Sequence, residues 1–135
     1  MLAVTLTGSC LCGAVRYRST KPLIDAEYCH CTICQKSCGA PVVAWVSVPK
    51  QGFAFTQGAP TAYASSPQGR RQFCPTCGTQ LTFTRTDSHE MDITVTTLDQ
   101  RDEIVPEYHI WTAHQASWLQ VTDELPRYAD SGPDR

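Results

Sequence analysis

Short runs in which apolar and polar residues alternate, separated by Gly, Pro and Ser, dominate the hydrophobic pattern of this chain. In "MDITVTTL" (91–98), Met91, Ile93 and Val95 fall on one face and Asp92, Thr94 and Thr96 on the other, the period-2 signature of a half-buried strand. "AVRYRS" (14–19), "PVVAWVSV" (41–48), "FAFT" (53–56), "TAYAS" (61–65) and "QLTFTRT" (80–86) also read as strands. No window supports a long amphipathic helix, and the best helical candidate is a turn or two around residues 33–37. No internal repeat, linker or low-complexity tract interrupts the pattern, and "YADSGPDR" (128–135) reads as a frayed tail. The pattern predicts one mostly antiparallel β domain over 1–135, with cysteines at its turns.

Size and charge narrow the picture. A chain of 135 residues buries roughly two-thirds of its unfolded surface on folding, so it can hold a core without disulfides. Eight cysteines therefore call for a chemical reason beyond packing. The first residues have no basic stretch followed by an apolar run, and no segment reaches the roughly 18 apolar residues of a membrane helix. The expectation is a cytoplasmic protein with no membrane partner, in a compartment whose reducing poise favours metal binding or catalysis over disulfides. A net charge of −2 with scattered basic residues argues against nucleic acid as the partner.

The cysteines form three groups. "GSCLCGAV" carries Cys10 and Cys12, and "RQFCPTCGTQL" carries Cys74 and Cys77. Gly13 and Gly78 follow the second cysteine of each pair and supply the permissive backbone of a zinc knuckle on a hairpin. Neither pair alone encloses a tetrahedral ion, so the spacing predicts that Cys10, Cys12, Cys74 and Cys77 join as a closed structural zinc site. A redox dithiol at Cys74 and Cys77 and a four-thiolate iron–sulfur cluster are the competing readings. "CPTC" runs into a strand pattern, whereas the redox motif opens a helix.

The middle group, "AEYCHCTICQKSCGAP", holds Cys29, Cys31 and Cys34 as C-x-C-x2-C. Three ligands leave one tetrahedral position open, the mark of a catalytic zinc. The alternative is a second closed site completed by His30, by Cys38, or by one of His89, His109 and His114. His30, placed between two ligands, should point away from the metal, and Cys38 is expected to pack as a small residue beside Gly39 and Ala40.

Taken with "HIW" (109–111), Trp118 and "LP" (125–126), these motifs resemble the glutathione-dependent formaldehyde-activating enzyme family, or centromere protein V/GFA domain, over about residues 8–125. The resemblance implies a Mss4-like β-tent of antiparallel sheets built around zinc, with two Zn²⁺ per chain. Its structural ligands fall on Cys10, Cys12, Cys74 and Cys77, and its catalytic ligands on Cys29, Cys31 and Cys34. The activity it implies is carbon–sulfur lyase chemistry on a small thiol or thiol–aldehyde adduct, such as S-hydroxymethylglutathione. Family members that act on glutathione itself are longer than this chain, so segments that recognise the tripeptide are expected to be missing. Lys36, Arg70 and Arg71 are candidate anchors for an anionic substrate, though each taken singly reads as a solvated strand or turn residue. Of the large aromatics Trp45, Tyr63, Phe73, Tyr108, Trp111 and Trp118, one or two are expected to line a cleft and the rest to pack in the core. Mss4 itself binds a partner protein and turns nothing over, so a non-catalytic zinc-stabilised binding module is the alternative function.

Overall fold

The computed structural model describes residues 5–133. Strands β1 (Leu6–Ser9), β2 (Arg16–Ser19) and β5 (Phe53–Gln57) form a small antiparallel sheet. The other strands are β3 (Asp25–Cys29), β4 (Val43–Pro49), β6 (Thr61–Ala64), β7 (Gly69–Phe73), β8 (Gln80–Arg85), β9 (Glu90–Thr94) and β10 (His109–Ile110). They build a seven-stranded sheet in the order β10-β3-β4-β9-β8-β7-β6. All pairings in it are antiparallel except β10 on β3.

Strand β4 sits inside the large sheet and is buried on both faces, which is why its sequence is an almost continuous apolar run rather than an alternation. Register sorts its side chains. Val46 pairs with Ala26 and Ile93, and this row packs with Leu6, Val15 and Tyr17 of the small-sheet half to form the core. Trp45 pairs with Glu27, Ser47 with Asp92, and Phe83 with both Asp92 and Arg71, so a polar and aromatic set occupies the opposite face. Burying apolar area at about 25 cal/mol per Å² holds the first face closed, and the second is left to shape a site.

The strand expected over 91–98 covers Glu90–Thr94 and then tightens into a 3₁₀ turn at Val95–Thr97. The Thr97 hydroxyl donates to the Thr94 carbonyl and meets the Tyr17 hydroxyl at 2.8 Å, giving the chain a polar reason to leave the ladder. The helix is α1, Thr32–Cys38, about two turns long and one residue longer at each end than the 33–37 stretch the sequence suggests. Cys31 caps its start by accepting from the Cys34 N–H, and Gly39, at φ 62°, closes its end.

The frayed tail is corrected. The amide N–H groups of Trp111, Thr112 and Ala113 donate to the carbonyls of Asp130, Tyr128 and Ala129, and the Tyr128 N–H donates back to His109. These bonds tie residues 128–130 to β10 and the turn after it. Residues 1–4 and 134–135, at the ends of the expected domain and tail, lie outside the described residues. Among the described residues no helix is long and apolar enough to cross a membrane.

Candidate metal centres and the cavity beside them

Two groups of thiols converge. The Sγ atoms of Cys10, Cys12, Cys74 and Cys77 all lie within 4.8 Å of one another, as do those of Cys29, Cys31 and Cys34. All eight cysteines are free thiols.

The first group joins the two sheets. Cys10 and Cys12 lie in the turn between β1 and β2, and Cys74 and Cys77 in the turn between β7 and β8. Gly13 and Gly78 adopt φ of 79° and 80°, the left-handed backbone each knuckle needs to double back. Backbone N–H groups of Val15, Thr76 and Cys77 point at the Cys10 and Cys74 sulfurs at 3.3–3.5 Å. Four sulfurs held tetrahedrally about 2.3 Å from a zinc ion stand about 3.8 Å apart. The Cys10–Cys12 and Cys12–Cys74 sulfurs are separated by 3.6 and 3.8 Å, so the residues present fit the ion. The Thr79 hydroxyl and N–H draw the Cys77 thiol down to about 5, which favours the thiolate a metal requires.

The second group lies at the end of β3 and the start of α1. Its three thiols compete for one negative charge. Hydrogen bonds from Cys29 and Cys34 pull Cys31 down to about 2, while Cys31 and Cys34 push Cys29 up. A divalent cation among them removes that conflict, so this group too could hold a metal ion. No protein atom completes it as a fourth ligand among the described residues. His30 turns its Nε2 to His109 Nδ1 at 2.9 Å, and His109 turns its own Nε2 to Asp123 at 3.0 Å. His114 stacks on Trp111. Cys38 packs against the cluster of Cys29, Cys34, Val43 and Trp45, its Sγ 3.7 Å from the Ser37 hydroxyl.

The three sulfurs open on a cavity of about 440 Å³ walled by Trp45, Phe83, Ile110 and Trp111 and carrying Glu27 and Asp92. Of the aromatics considered, Trp45, Tyr108 and Trp111 reach it, three rather than one or two, while Tyr63 and Trp118 are 64% and 72% exposed instead of packing in the core. Trp111 is the one described non-glycine residue with positive φ, 55°, a left-handed conformation that large side chains rarely adopt.

Arg71 overturns its reading as a solvated residue. It is 5% exposed. Its two terminal nitrogens donate to Cys34 Sγ at 3.7 and 3.6 Å, its Nε to Ser65, and one terminal nitrogen also to Ser37. The guanidinium covers the Phe83 ring at 4.7 Å from its centroid. Arg70, on the opposite face of β7, donates instead to the carbonyls of Ser66, Pro67 and Gly69, and Lys36 is exposed. The sequence offers Arg71 as a candidate but reads it as solvated, because β7 carries no apolar alternation to show which side is buried. Once Gly69–Phe73 is a strand, parity turns Arg71 toward Phe83 and the sulfurs.

The fold and the paired thiol groups define a mostly β, cysteine-rich protein with two places for a metal ion. Its residues 5–114 match the family model described as "Glutathione-dependent formaldehyde-activating enzyme", and the chain belongs to that family. An uncharacterized lyase of Schizosaccharomyces pombe is 32% identical over 80 residues, 59% of this chain. The match spans 58% of that relative's own length. A Rhodobacter sphaeroides protein of known crystal structure superposes with a TM-score of 0.60 at 25% identity, covering 74% of this chain and 96% of that one. The architecture is the Mss4-like fold that the cysteine motifs implied.

Proposed function

We propose that this protein is a carbon–sulfur lyase that makes or cleaves a small thiol–aldehyde adduct at a zinc ion held by Cys29, Cys31 and Cys34. A second zinc at Cys10, Cys12, Cys74 and Cys77 serves the fold. The observation that carries the reading is the set of three thiols facing a 440 Å³ cavity with no fourth protein ligand among the described residues, in a chain of this family.

Zinc bound there would supply a Lewis acid that holds a substrate sulfur as its thiolate. The protein's own residues do the rest. Trp45, Phe83 and Trp111 exclude water from the reacting end, and Arg71 offsets the negative charge of the three sulfurs while steadying Cys34. In the cleavage direction the C–S bond breaks with its electron pair leaving on sulfur as the thiolate, and the adduct's hydroxyl releases its proton to solvent at the cavity mouth as the carbonyl forms. The synthetic direction reverses both. S-hydroxymethylglutathione is the adduct the family description suggests, and the free thiols fit a reducing compartment such as the cytoplasm.

Ligand number gives the test. Under mild chelator dialysis, metal should leave in two steps, passing through a folded species with one ion per chain. In the cobalt-substituted protein, added glutathione should alter the absorption of the three-thiol site and leave that of the four-thiol site unchanged. Loss of both ions together, with no response to any small thiol, would favour a non-catalytic binding module.

A further inference from the structure

His30, between Cys29 and Cys31, is fully buried and forms the inner end of a three-residue chain. His30 Nε2 lies 2.9 Å from His109 Nδ1, and His109 Nε2 lies 3.0 Å from each carboxylate oxygen of Asp123. His109 is 2% exposed, while Asp123 sits at the surface with its side chain 38% exposed. The chain links the turn after β3 to β10 and then to the loop that follows residue 114, where the family match ends.

The chemistry at the outer end dictates the rest. An ionised carboxylate only accepts hydrogen bonds, so His109 must donate from Nε2. A neutral imidazole donates at one nitrogen and accepts at the other, so His109 Nδ1 accepts, and His30 must donate from its own Nε2. Neutral His30 is then left with Nδ1 as an acceptor, and that buried atom has no hydrogen-bond partner. One carboxylate thus fixes two tautomers and the rotation of both rings.

The backbone around His30 is fastened as well. Its N–H donates to Ile110, its carbonyl accepts from Gln35 Nε2, and the Tyr28 ring stacks on His109 at 4.8 Å. Cys29 and Cys31 flank His30 directly, so a shift of its backbone, which the held ring resists, displaces two of the three thiols relative to each other. Asp123 is held in its turn by the Leu125 N–H at 3.1 Å and by Arg127 at 4.0 Å.

We propose that Asp123 is a positioning residue of the three-cysteine site, acting through His109 and His30 to lock the Cys29–Cys31 turn in the conformation that brings the sulfurs together. The inference rests on reading that group as a metal site.

Asp123→Asn tests it in the full chain with cobalt as the probe. The Leu125 N–H claims the amide oxygen, which leaves the NH₂ group facing His109 Nε2 and reverses the chain. Nitrogen-15 NMR at about pH 8, above the ordinary imidazole pKa of about 6.5, should show His30 and His109 moving from the Nε2–H to the Nδ1–H tautomer. Cobalt affinity at the three-cysteine site, measured against a competing chelator, should fall about 10- to 100-fold. The absorption of the four-thiol site should stay unchanged, and Asp123→Glu, which restores an acceptor, should recover most of the affinity. Unchanged tautomers, changed tautomers with unchanged affinity, or an equal loss at both metal sites would each overturn the proposal. Neither readout needs a bound thiol, so a wild-type cobalt protein that ignores thiols would sink the lyase reading and leave this one standing.

Discussion

Arg71 shows how much one side chain can do once parity buries it. Its guanidinium divides its donors among Cys34, Ser37 and Ser65 and sits over the Phe83 ring, so charge, hydrogen bonding and the cation–π contact all depend on the planar fork. Arg71→Met keeps the apolar contact and removes the N–H···S donors, leaving the Cys34 sulfur without its cationic partner. Metal affinity at the three-cysteine site is expected to drop by about tenfold or more, in line with other partners of metal ligands. Arg71→Lys should not rescue it, because one ammonium cannot span three acceptors. Competition against a chelator reads both variants, and full affinity in Arg71→Met would show that the sulfur contacts are incidental.

Among the elements, β10 depends most on its neighbours. It has two residues, too few to form a strand from local preference, and it exists because β3 pairs with it on one side and 126–130 brace it on the other. The brace also carries the αL turn at Trp111, whose N–H donates to Asp130. Deleting residues 127–135 should therefore leave the core sheet folded while β10 loosens. Hydrogen exchange would reveal this as faster exchange at His109, Trp111 and Thr112, with β4 and β9 amides protected as before. Unchanged protection at those three amides would mean that β3 alone holds the strand.

For the whole molecule, the four-thiol group is the tie between the two sheets, since Cys10 and Cys12 come from the small sheet's hairpin and Cys74 and Cys77 from the large one's. A metal bound there closes a loop of more than sixty residues, and its binding free energy counts toward folding. Cys77→Ser should yield unfolded or insoluble protein, whereas Cys31→Ser should stay folded, because the Cys29 group lies within one sheet and its helix. Circular dichroism melts of the two variants separate the roles, and an unchanged melting temperature in Cys77→Ser would remove the structural assignment. The sequence by itself determined the grouping of the cysteines, the turns around Gly13 and Gly78, the strand at β4, the inward face of β9, and the short helix, because these follow from spacing and period along a local stretch. It could not show β3 or β7, whose polar residues face the cavity rather than the core, nor β10, which has no local cause. Which histidine meets which carboxylate, and that Arg71 reaches Cys34 across 37 positions, were decided only when sheet register brought distant strands side by side.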